Sequence, residues 1–220
     1  MTEAAFSVIK ARRGLPGGEV ATSPPDFASL SYVDARTAVG VTLDDVNGCL
    51  LHLSSEYPLN IIQQLKEKNL SDNKKALAIY LLGAIKPQDT NSIAVLVERI
   101  DFEVKVPYSD PKWRSLYSWS LYPARDALLR IGEASVGPIV LDLPCETNAL
   151  RRQLLCAVVS TFWRTNWTTA WQPKAAIDQL QRLRATESEQ SRQQNIDAAL
   201  GLLIDNKVDL NIGWSGYLGE

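Results

Sequence analysis

From Thr42 onward, apolar residues recur every three or four positions between short polar stretches. Leu43, Val46, Leu50 and Leu53 follow Thr42 at that spacing, and Asp45 stands where a capping box has its acid. Pro58 fits a first helical turn ahead of Ile61, Ile62 and Leu65, and Ser71-Asp72 can cap the helix after that. The stretch from Ala76 to Ile85 is apolar on nearly every side, so it is expected to be an inner helix covered on several faces. Thr90 opens a segment with Ile93, Leu96, Val97 and Ile100, an i, i+3, i+4, i+7 stripe. The same stripe returns as Val136, Ile139, Val140 and Leu143, and again as Ile196, Ala199, Leu200 and Leu203. Further helical patterns fall at about 120–132, 147–162 and 173–185, and no run alternates as strands do. The pattern predicts an all-α chain with at least seven helices in pairs.

Residues 1–41 read differently. Gly14, Pro16, Gly17, Gly18, Pro24 and Pro25 break any helical period, so an irregular N-terminal arm or cap is expected there. Residues 42–206 are predicted to form the helical domain. Residues 207–220 form a tail, in which the stretch from Leu210 to Tyr217, with Trp214, is expected to fold back over the last helix.

The stripes repeat. Leu50-x-x-Leu53 is followed by Ile61, Ile62 and Leu65 at the offset that separates Leu128-x-x-Ile131 from Ile139, Val140 and Leu143. Leu82-x-x-Ile85, followed by Leu96, Val97 and Ile100, is the same unit with a longer turn, and Ala176, Ile177 and Leu180 are a weaker copy. With Ile61, Leu96, Ile139 and Ala176 as anchors the steps are 35, 43 and 37 residues, near the roughly 40-residue period of helix-pair repeats. One helix pair cannot bury both of its stripes. Stacked neighbours can, and the end pairs then need caps.

The wording of the unit resembles a known family. Ala127-Leu-Leu-Arg-Ile-Gly-Glu-Ala-Ser-Val-Gly-Pro-Ile-Val-Leu-Asp-Leu143 resembles the HEAT-like units of the phycobilisome-lyase type. In those units an alanine- and leucine-rich helix ends in an Ile-Gly turn and a Val-x-x-Leu helix follows. The stretch from Ala78 to Ile93 resembles a second copy, and the likeness spans roughly residues 42–205. It implies a short α-α solenoid, a HEAT- or armadillo-like superhelix. It implies little about function, because such repeats serve many unrelated partners. Two inserted turns and the N-terminal arm depart from the pattern.

Composition narrows the function. The chain has 220 residues, 45% hydrophobic, with a formal net charge of −2. A nucleic-acid binder draws most of its affinity from a basic face, so this balance argues against that partner. Cys49, Cys145 and Cys156 have no zinc-knuckle or redox spacing and are read as reduced, mostly buried thiols in a cytoplasmic protein. No segment approaches the ~18 uninterrupted apolar residues of a membrane span. Met1 to Lys10 does not read as a signal peptide, although export stays open if a leader preceded this sequence.

Candidate chemistry is sparse. His52 is the single histidine, which removes every two-histidine metal site, and it sits between two leucines. There is no Gly-x-Ser-x-Gly elbow, no phosphate loop and no dinucleotide fingerprint, so no catalytic residue, metal or cofactor is assigned. Asp126, between Arg125 and the i+4 partner Arg130, reads as part of an ion pair on a solvated helix face.

The aromatic residues stand out. Trp113, Tyr117, Trp119 and Tyr122 cluster in and after one insertion. Trp163, Trp167 and Trp171, spaced by four, occupy the other. With Arg114 and Arg164 they have the composition of interface hot spots, and inserted loops on rigid scaffolds carry recognition. The structural alternative is that the rings fill gaps where helices splay. Thr165, Asn166, Thr168 and Thr169 favour an exposed, turn-like segment from Phe162 to Trp171, with Trp167 facing solvent. An up-down solenoid places the two insertions at opposite edges.

The leading expectation is a scaffold or adaptor that binds a protein or peptide through Trp113, Trp119, Trp163, Trp167, Trp171, Arg151 and Arg152. The competing expectation is a DNA-processing enzyme that excises a damaged base. It requires Lys74, Lys75, Arg125, Arg151 and Arg152 to converge on one face around a tryptophan and a carboxylate.

Overall fold

The computed structural model describes residues 56–66, 70, 72–104, 121–165, 173–210 and 212. Among these, eight α-helices and two 3-10 turns occur and no strand. The helices are α1 (Glu56–Leu65), α2 (Asp72–Ile85), α3 (Thr90–Glu98), α4 (Pro123–Ile131), α5 (Val136–Asp142), α6 (Ala149–Thr165), α7 (Lys174–Thr186) and α8 (Gln190–Ile204). The N-terminal arm, the helix expected after Thr42, His52 and Cys49 lie outside the described residues. The chain divides into two compact units, Met1–Ser92 and Ile93–Glu220.

In the first unit α1 packs on α2. Ile61, Ile62 and Leu65 bury the face of α1, while Ala76, Ala78, Ile79, Tyr80 and Leu82 are buried around α2. These residues point in several directions round the helix, as its continuous apolar composition predicts. α2 ends where Lys86 takes a φ of 55°, and buried Pro87 follows. Asp89 caps α3: its carboxylate accepts from the Ser92 backbone N–H at 2.8 Å and from the Ser92 hydroxyl at 2.7 Å.

In the second unit, Ile93, Leu96, Val97 and Ile100 are all buried, as their spacing predicts. α4 stops at Gly132, whose φ of 82° with ψ of −139° is open to glycine and costly for any residue with a Cβ. Ile85-Lys86 and Ile131-Gly132 share a local feature. Each isoleucine is followed by a residue at positive φ that ends its helix. A 3-10 turn, Gly132–Ser135, leads into α5, and a second, Leu143–Cys145, leaves it. Val136, Ile139, Val140 and Leu143 are buried across these pieces.

Packing in this unit joins alternate helices. α4 packs on α6, α5 on α7 and α6 on α8, while α7 also packs on its neighbour α8. Leu154 to Val159, six consecutive buried residues in the middle of α6, mark the centre of this core.

One expectation is corrected here. Leu200 is half-buried, unlike Ile196, Ala199 and Leu203. It lies on the flank of α8 that also carries exposed Asp197 and Ile204, three residues before it and four after. Lys207 to Leu210 contact Gln153 of α6 and Arg125 of α4, and nearly all of the stretch expected to fold back, Leu210 to Tyr217 with Trp214, lies outside the described residues.

Candidate functional site

Arg151 and Arg152 open the second turn's worth of donors at the start of α6, and they face different neighbours. Arg151 reaches α3, where Nη1 donates to the Glu98 carbonyl at 2.9 Å and Nη2 to the Val97 carbonyl at 3.2 Å. The guanidinium thus satisfies carbonyls left open at the end of α3. Nη1 also donates to Asp101 at 2.8 Å, and Nε donates to Glu146. Burial works against the Arg151 charge, but Glu146 and Asp101 hold its pKa above the ordinary arginine value. Arg152 turns the other way. Its Nη2 donates to the Glu146 carbonyl at 2.7 Å and to Asn195 of α8 at 3.2 Å, and Asn195 in turn donates to the Pro144 carbonyl at 3.0 Å. The two arginines tie α6 to α3 on one side and to α8 on the other.

Glu146 joins the two sets of contacts. It is buried, and its carboxylate accepts from the Asn148 backbone N–H at 2.7 Å as well as from Arg151. Asp142 lies near enough to feel this charge. Burial, then the Glu146 and Glu98 carboxylates, push its pKa up, while Arg151 pulls it down.

The first insertion is rooted beside this cluster. The Val104 N–H donates to the Leu121 carbonyl at 2.8 Å, which joins the two described residues on either side of 105–120. Asp101, held by Arg151, lies three residues before that bond. Tyr122, just after it, is buried and belongs to the core, not to an aromatic surface. Burial, with Glu103 and Asp101, raises its pKa. Trp113, Tyr117 and Trp119 lie within the insertion, outside the described residues.

The second insertion is rooted at the other end of α6. That helix has 17 residues and is roughly 25 Å long at 1.5 Å per residue, with Arg151 in its first turn. α6 continues through Thr165, so Phe162 to Thr165 are helical and not the turn-like segment expected there. No glycine or proline interrupts the chain between the apolar centre of α6 and Pro173, which stands at the N-cap of α7. The backbone of Trp163 lies in the last turns of α6. Trp167 and Trp171 lie outside the described residues.

Arg125 departs most from its sequence reading. It is fully buried in α4, not solvated, and its Nη2 donates to the Leu210 carbonyl at 2.6 Å. Burial lowers its pKa, and Asp126 and Asp209 counter that. The signal was present in the sequence, because Arg125 is one turn before Leu128 on the buried face. Cys156 is buried as expected, and burial pushes its thiol up to about 12. Cys145 is exposed at the end of the second 3-10 turn, contrary to expectation, because that turn presents it outward while Leu143 and Pro144 face the core.

No group of side chains suited to a metal ion occurs among the described residues. No helix among them is long and apolar enough to cross a membrane. Compared with known proteins, the chain matches no family model, no curated protein and no solved structure.

Proposed function

We propose that this chain is a HEAT-like helical-repeat scaffold that binds a protein or peptide partner through aromatic residues on its two insertions. The observation that carries the reading is the closed root of the first insertion. The Val104–Leu121 hydrogen bond joins the residues on either side of the tryptophan-bearing insertion, and Arg151 anchors the preceding turn through Asp101. A loop on a fixed root presents its rings with less entropy to lose on binding. The packing of α4 on α6, α5 on α7 and α6 on α8 supports a repeat stack, since alternate helices meet when pairs are layered. The shared positive-φ ending after Ile85 and Ile131 supports the same register.

The reading as a DNA-processing enzyme gains no support from its required arginines. Arg125 is buried on a main-chain carbonyl, and Arg151 and Arg152 donate to carboxylate, amide and carbonyl oxygens of their own fold.

The test is affinity capture from the source organism with the full chain as bait, beside variants carrying Trp113→Ala with Trp119→Ala, or Trp167→Ala with Trp171→Ala. A partner retained by the parent and lost by a variant that melts at the parental temperature supports the reading. Retention of the same proteins by every bait removes it.

A further inference from the structure

We draw no further inference here: the strongest candidate, the cluster of carboxylates that Glu98, Asp101, Asp142 and Glu146 form with Arg151 where α3, α5 and α6 meet, belongs to the site already described, and nothing else among the described residues points to a ligand there.

Discussion

Arg151 and Asp101, fifty residues apart in sequence, meet at 2.8 Å and fix the end of α3 against the start of α6. The same guanidinium donates to the Val97 and Glu98 carbonyls and to the carboxylate of Glu146, which is only 7% exposed. Replacing Arg151 by alanine removes the cation from a buried acid and the donors from two carbonyls. Arg151→Ala should destabilise the chain by about 2–3 kcal/mol in denaturant melts, because the unpaired acid stays behind. Arg151→Lys should recover only part of this, since one ammonium cannot reproduce the planar fork. A parental midpoint for Arg151→Ala would show that the cluster contributes nothing to stability.

The pH dependence of this corner follows from Asp142. Its folded-state pKa is raised, by burial first and by Glu146 and Glu98 next. The native state therefore binds the Asp142 proton more tightly than the unfolded state does. Stability from this group is present at low pH and is lost as pH rises through the raised value. Asp142→Asn should then stabilise the chain at pH 7, by less than roughly 1 kcal/mol because solvent screens a half-buried charge, and the gain should shrink as pH falls through the carboxylate range. Melting temperatures from pH 3 to pH 8 check the sign, and a loss of stability at pH 7 would contradict it.

The stripe through α5 offers a packing test. Leu143 is fully buried in the turn that leaves the helix, in line with Ile139 and Val140. Leu143→Ala should cost about 2–5 kcal/mol, and Val140→Ala less, because it removes fewer buried atoms. Equal midpoints for Leu143→Ala and the parent would take Leu143 out of the core.

The same residues mark what the sequence discloses. Ile61, Leu65, Leu96, Ile100, Ile139 and Leu143 are buried where their spacing places them, because a helical stripe is local information. The end of α4 at the Ile131-Gly132 turn was also legible. Arg125 was legible only in part: its place one turn before Leu128 puts it on the buried face, but its partner, the Leu210 carbonyl, lies 85 residues away where no local pattern reports it. Arg151 and Arg152 read as surface candidates for the same reason, since their partners sit on other helices. Asp89 was passed over as a cap because Thr90, a residue of similar capping ability, follows it directly.

The two described cysteines should react differently. Cys145 is exposed, whereas Cys156 is buried with its thiol pushed up to about 12. At pH 8 an alkylating reagent should label Cys145 in the folded chain and reach Cys156 only after denaturation. Mass spectrometry of the digested protein distinguishes the two sites. Rapid native labelling of Cys156 would mean that α6 opens far more readily than a core helix should.

The last prediction concerns Trp167, which lies outside the described residues between two fixed points. α6 runs through Thr165, and Pro173 stands at the N-cap of α7. The sequence neighbours of Trp167, Asn166 and Thr168, are small and polar. If the ring is a partner anchor, Trp167→Ala should leave the melting temperature unchanged and weaken binding of the captured partner by about 2 kcal/mol or more, roughly thirtyfold in Kd. Trp163 sharpens the comparison because its backbone already belongs to α6. A packing role at either position lowers the melting temperature on truncation to alanine, and a binding role lowers affinity alone. If Trp167→Ala melts early, or if the partner binds it as tightly as the parent, the anchor does not lie at Trp167.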